Sequence, residues 1–415
     1  MKRLLFAFLV LVSVAGFVSA QCAVVAGATC VTDQHCTPTG SDSTALQNAV
    51  DAAVGCSVFL DRGPNGQDTY VLTQTIVLPG NVTITKWPDA PGTITIQAGT
   101  NTNLDNTNDP FCSHPPLNPG TRTVFCSSGA SNITIADLNF VPLSGLTVVK
   151  NPPDSSSGRE VWAVKNGGSS LIFHDNTVSN FTDGLFVEGG GSDVHFLNNG
   201  VNLTDRYPLC SGIVCGGNAA FTVAHGTGTQ SNIWFDGNTV VCPGSGIPRV
   251  FAVVGGLVYN DQSTINSIEM KSNRVTQCDH GLFVSATCDS TCTNTVSGNN
   301  GNGNGNALTI SRGNPTSGPS CSPAGPSPLL ASGMSITKNT FNANGYDGAC
   351  VAAYTGTTMV MKDNIFNGNK NQCLENYSGV GPNGSLPVGN ICRGPGNGNN
   401  GTPPAPPGKG VNPGR

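Results

Sequence analysis

The chain has 415 residues, of which only 10% are charged and 6% aromatic, against 54 glycines and 28 prolines. That balance disfavours a helical bundle and favours many short strands joined by turns. A formal net charge of -5 argues against nucleic acid as a partner and against a strongly anionic substrate.

Lys2 and Arg3 precede an apolar run from Leu4 to Phe17, and Val18-Ser19-Ala20 stands before Gln21. This pattern predicts a secretory signal peptide over residues 1–20. The run is short for a membrane span and no later segment is long and apolar enough to be one, so the expectation is a secreted, extracellular protein outside the membrane. Without Lys2 and Arg3 the formal charge becomes -7. All 16 cysteines follow the signal segment. An even number in an oxidising compartment predicts disulfides, with a connectivity that spacing does not reveal. Cys288 and Cys292 have only His280 nearby as a third ligand, so no metal site is predicted.

Residues 21–80 read as an amino-terminal cap with the first strands. "DSTALQNAVDAAVG" opens with helix-capping residues and puts Leu46, Ala49, Val50 and Ala53 on one face, as suits a helix closing the end of a solenoid. "TYVLTQTIVLPGNVTI" then begins the strands.

Residues 81–395 carry a loose internal repeat. "SLIFHDNTV", "DVHFLNNGV", "NIWFDGNTV", "SIEMKSNRV", "TNTVSGNNG", "MSITKNTF" and "MVMKDNIF" share one frame of alternating apolar and polar residues. Each places an asparagine in the same slot: Asn176, Asn199, Asn238, Asn273, Asn299, Asn339 and Asn364. The gaps are 23, 39, 35, 26, 40 and 25 residues, so the coils vary in length while the frame is kept. An eighth copy, "NITIADLNF", has Leu138 in the slot. Alternation predicts strands, and the asparagine is expected to take a left-handed backbone at a sharp bend while its amide bonds the neighbouring turn.

A second strand series lies between the copies: "EVWAV", "GLFVE", "AAFTV", "RVFAV", "GLFVS", "ALTIS" and "ACVAA". Together the two series predict an all-β chain folded as a single right-handed parallel β-helix, with an amino-terminal capping helix and an Asn ladder. Residues 396–415, rich in Gly, Pro and Asn, have no apolar period and are expected to form a disordered tail.

Candidate site residues come from the second series. Aligned by their apolar residues, its strands put Asp183, Asn218, Arg249, His280, Asn306 and Asp347 in one file, one per coil. At about 4.8 Å per coil, Arg249 and His280 would be neighbours with Asp279 adjoining, and Asp183 two rungs away. An Asp-Gly pair before a strand is also ordinary turn chemistry, which is the bland account of Asp183 and Asp347.

The helix-then-strand opening resembles that of the pectate lyase superfamily. A closer similarity covers about residues 160–260: "TDGLFVEGGGSDVHFLNNGVNLTDRYPLCSG" resembles the stretch in which Asp-Gly-Leu opens a strand and Gly-Ser-Asp follows. "GIPRVFAVVGGLVYND" is similar to the segment built on Arg-x-Pro-x-x-Arg. The resemblance implies an extracellular polysaccharide, pectin-like or other, as the partner, and proton abstraction by an arginine beside a uronate carboxylate that Ca2+ neutralises. Asp183 stands at the first acid and Asp205-Arg206 at the Asp-Lys pair. Val187 occupies the second acid's place, and Gly246 and Phe251 occupy those of the motif arginines, with Arg249 between. The acid motif for Ca2+ is therefore incomplete, and no cofactor is certain.

Three functions stay open from the residues. In a lyase, Arg249 and Arg206 would stabilise a uronate and its enolate, with His280 or an arginine as base. A hydrolase on the same fold needs two carboxylates roughly 5–9.5 Å apart, for which Asp183 with Asp205 serves and Asp183 with Asp279 does not. Asn218, Asn306 and Asp347 would contact substrate. The third reading is a glycan-binding β-helix without catalysis, and in each case a monomer is expected. Asn81, Asn132, Asn180, Asn202, Asn376, Asn383 and Asn400 head N-glycosylation sequons.

Overall fold

The computed structural model describes residues 28–31, 35–60, 68–88, 92–98, 122–142, 161–166, 168–181, 183–188, 192–203, 218–224, 229–244, 254–265, 267–287, 293–310, 334–351, 360–370, 373–376 and 389–394. The signal segment, the tail, and the Cys288–Cys292 pair lie outside these residues.

Each repeat contributes one strand to each of three parallel sheets. Sheet A has 12 strands, from Ala28–Val31 to Val360–Lys362. Sheet B has 11, from Thr69–Leu72 to Ile391–Arg393, and sheet C has 11, from Ile76–Val77 to Leu374–Asn376. This is the right-handed parallel β-helix that the two strand series predict. Apart from the first hairpin, where Cys30 lies opposite Cys36 and is bonded to it, the described pairings are parallel.

The alternation sorts side chains as expected. Inward on sheet A, register stacks Ile84, Ile135, Phe173, Phe196, Phe235 and Met270, all fully buried. Aromatic rings continue the stack between coils: Phe196 packs on Phe235 at 4.9 Å and on Phe221 of sheet C at 4.8 Å. The helix Ser43–Ala52 closes the amino end, burying Leu46, Ala49 and Val50, and Asp42 caps it by accepting from Ala45 N at 2.8 Å. Gln47 stitches the helix to the first coil, donating to Val77 O at 2.9 Å and accepting from Val77 N at 2.8 Å.

The expected ladder forms and runs one step further, through Asn390. Asn273 is representative. Its Nδ2 donates to Phe235 O at 2.7 Å and to Asn299 Oδ1 at 2.9 Å, while its Oδ1 accepts from Asn238 N at 3.0 Å and Asn238 Nδ2 at 3.0 Å. At the other end Asn364 donates to Asn390 Oδ1 at 2.8 Å. Leu138 ends the ladder on the other side, its N–H donating to Asn176 Oδ1 at 3.0 Å.

One expectation is corrected. The left-handed residue is not the ladder asparagine but the residue before it: Asp137, Asp175, Asn198, Gly237, Ser272, Gly298, Lys338 and Asp363, with φ between 54° and 68°. The bend is thus made by the preceding residue, which leaves the asparagine in a backbone geometry that aims its amide inward along the solenoid. A second, shorter ladder went unread in the sequence. Asn304, Asn344 and Asn369 stack at another corner, and Asn304 Oδ1 accepts from Cys278 N at 3.0 Å.

Asn273→Leu would fill the slot but orphan the buried Phe235 carbonyl and the Asn238 amide. Each such group costs about 1–3 kcal/mol, so the unfolding free energy should fall by at least about 2 kcal/mol, measured by denaturant titration.

Candidate functional site

Among the described residues, Asp183, Asn218, His280 and Asn306 lie on sheet C, and Asp279 and Asp347 just before its strands. Arg249, Arg206 and Asp205 lie outside the described residues. Asp183 heads the strand Asp183–Glu188 and Asn218 heads Asn218–Ala224. His280 pairs with Gly255 on one side and Asn306 on the other. Leu308 opposite Ala349 sets Asp347 beside Asn306, and Asp347 N donates to Asn306 Oδ1 at 3.1 Å. The register of Leu185 against Phe221 places Asp183 opposite Ala219.

The file therefore joins Asp183, His280, Asn306 and Asp347 as aligned, but two positions differ. Asn218 pairs with Val254, one residue out of file, and the slot beside His280 belongs to Gly255 and not to Arg249. The apolar alignment ran "RVFAV" against "GLFVS", whereas "GGLVY" is the segment in register. Two apolar runs separated by a few residues are interchangeable to a pattern and not to a ladder.

The structure also accounts for the repeated "GLFV". Leu185 and Leu282 point into the core, and the glycine before each sits where the neighbouring coil's backbone closes in. A Cβ on Gly281 would lie 2.7 Å from Ala307 O, and one on Gly184 would meet Ala220 O closer still. Gly281→Val should therefore lower stability by about 1–3 kcal/mol through overpacking, seen as a fall in melting temperature.

Three residues of this file and the adjoining Asp279 are shut from solvent: His280 is 2% exposed, Asn306 0%, Asp347 2% and Asp279 5%. His280 Nδ1 lies 2.8 Å from Thr309 Oγ1, and its ring meets Phe283 edge to face at 5.5 Å. Cys278, beside Asp279, is bonded to Cys242 of the preceding coil, which pins the turn leading into this strand. Among the described residues no group of three metal-ligating side chains gathers.

An open concavity among the described residues lies elsewhere, on the outward face of sheet A. It has a volume of about 920 Å³ and runs across successive coils past Thr83, Thr134, Ile172 and His195, with Asn81, Asn132, Ser170 and Asp193 along one side. Strand alternation turns these residues outward, and the left-handed residues Asn81, Asn132, Ser170 and Asp193 mark the corner where each strand begins. Their side chains interlock: Asn132 Nδ2 donates to Asn81 Oδ1 at 2.8 Å, and Asn232 Nδ2 to Asp193 Oδ1 at 2.8 Å.

At one end of the groove His195 stacks flat on Trp234 of the next coil, centroids 4.2 Å apart and planes within 5°. Trp234 is 38% exposed, so part of the indole reaches water. A second aromatic group on sheet A joins His35, Phe59 and Trp87, with centroids 4.9–5.0 Å apart. The alternating frame carries a signal for Trp234: in "NIWFDGNTV" it occupies a polar, outward position.

Burial draws the His195 imidazole below its ordinary value, with Asp193 opposing, and its Nε2 is a buried atom without a hydrogen-bond partner. The folded protein therefore holds the neutral ring. The unfolded chain binds the extra proton first as pH falls, so this contribution is complete above the ordinary imidazole value of about 6.5 and is lost as pH drops through it. His195→Phe keeps the stack and removes the orphaned nitrogen. We expect a gain of about 1 kcal/mol or more at neutral pH, and a melting temperature that falls less between pH 7 and pH 5 than that of the parent.

The fold and the groove define a parallel β-helix protein with a solvent-open, aromatic-edged face. No protein-family model matches the chain, and no curated protein matches it significantly. The chain is similar in structure to a GH136 lacto-N-biosidase from Eubacterium ramulus, with a TM-score of 0.39 and 11% identity over 84% of this chain and 63% of that one. A bacteriophage CBA120 tailspike protein 3 is similar with a TM-score of 0.22 and 13% identity, over 85% of this chain and 51% of that one. The chain thus spans less than two thirds of either protein. At such identities and TM-scores the functional reading rests on the site's own geometry.

Proposed function

We propose that this is an extracellular polysaccharide-recognising β-helix, and that the outward face of sheet A is its glycan-binding surface. The observation that carries the reading is the exposed Trp234 ring, held flat by His195 at the end of a groove lined with hydroxyl and amide groups. A sugar ring has an apolar C–H face and a polar rim. His195 covers the indole face that looks toward the groove, so the C–H face would pack on the exposed edge of the stacked pair, beside side chains that both donate and accept hydrogen bonds.

The disulfides Cys30–Cys36, Cys242–Cys278 and Cys373–Cys392 support an oxidising compartment. No helix among the described residues is long and apolar enough to cross a membrane. Recognition is favoured over cleavage at this face because Asp193 is the single carboxylate among the described residues lining the groove, and glycoside hydrolysis ordinarily takes two. The finer reading, elimination from a pectin-like chain with Asp183, Asp205, Arg206 and Arg249, rests on the resemblance in residues 160–260.

Binding of the purified protein to a panel of neutral and acidic polysaccharides tests the proposal. Trp234→Ala should weaken the best ligand by about 2 kcal/mol, roughly thirtyfold, with an unchanged far-ultraviolet spectrum. Binding unaffected by that substitution would remove the groove from the function. Ultraviolet absorbance from unsaturated products would instead support elimination, and new reducing ends would support hydrolysis.

A further inference from the structure

We infer that the sheet A groove takes an uncharged glycan polymer and not a uronate chain, which rests on the glycan-binding reading above and specifies its ligand. Among the described residues that line the groove there is no lysine or arginine. A bound carboxylate is ordinarily met by charge-assisted donors. Here it would meet Asp193, whose Oδ1 already accepts from Asn232. The one imidazole, His195, is drawn toward its neutral form by burial and supplies no compensating cation at neutral pH. Beyond Trp234 the same outward file continues to Glu269, whose carboxylate pairs with Lys271 on its own strand at 3.6 Å.

Neutral sugar hydroxyls meet no such penalty. Each donates and accepts, as do the threonine hydroxyls and asparagine amides of the groove. The length also points to a polymer. Ser57, Thr83, Thr134, Ile172, His195 and Trp234 are in register on successive strands. At the strand spacing they span roughly 24 Å along the solenoid, room for several sugar rings in a row.

The same residues expose the inference to a second test. Asn81 and Asn132, whose amides pair along one side of the groove, head the sequons Asn-Val-Thr and Asn-Ile-Thr. A glycan attached to either would fill the groove from within. The ligand inference therefore requires that both amides stay unmodified in the secreted protein.

Calorimetry of the full chain with neutral glucan, galactan and mannan oligosaccharides, and with oligogalacturonate, at low and high salt, decides the matter together with peptide mass mapping. The expected result is that a neutral oligosaccharide binds with an affinity insensitive to salt and weakened tenfold or more by Trp234→Ala. Oligogalacturonate should bind at least tenfold more weakly, and Asn81 and Asn132 should be unmodified. Oligogalacturonate binding as tightly, and weakened by both salt and Trp234→Ala, would overturn the charge inference while leaving the glycan-binding face intact. No binding by either class would overturn both. Neutral binding indifferent to Trp234→Ala, or a glycan found on Asn81 or Asn132, would remove the ligand from this groove.

Discussion

The interaction on which the rest depends is the stack of side-chain amides from Asn176 to Asn390, buried as far as Asn364. The Cys242–Cys278 disulfide ties one coil to the next only locally, and the coils differ in length by up to 17 residues, since Asn176 and Asn199 are 23 apart while Asn299 and Asn339 are 40 apart. Each amide spends its donors on a carbonyl of one coil and on the next asparagine, and its oxygen receives the preceding coil. Register is therefore reset once per turn at the same corner, whatever length of chain intervenes. A buried amide is tolerable only because every one of its bonds is made, so the ladder is specific as well as stabilising.

From that corner the other features follow. With register held, inward residues line up as like on like, and phenylalanines stack from coil to coil. Outward residues line up just as strictly, which converts a sequence of scattered single residues into continuous files on the surface. The residue before each ladder asparagine takes the left-handed bend, and a glycine is required where two coils approach at the entry to sheet C. These constraints leave the remaining outward positions free, and the variation there gives each sheet a different exterior.

The exteriors of sheets A and C show what that freedom does. On sheet C the outward residues Val258, Phe283 and Thr309 are buried, and His280 and Asp279 with them. On sheet A the outward file is open, polar and interrupted by Trp234. Two tryptophan-containing groups on one face of a chain with only three tryptophans distinguish it from the other sheets, and the groove's charge follows from which side chains register has put together.

Periodicity in the sequence alone determined the class of fold, the seven ladder asparagines and the capping helix, because these depend on alternation and on one residue type per coil. It also determined that Asp183, His280, Asn306 and Asp347 share a file. Tertiary structure alone decided that Gly255 and not Arg249 lies beside His280, since a one-strand alignment has no ladder to correct it. It decided that the left-handed bend belongs to the residue before each asparagine, which hydrogen-bond geometry sets and composition does not. It decided, too, which files are open to solvent. Two outward residues read alike in sequence, and only the packing of the whole coil determines that His280 is covered while Trp234 faces water.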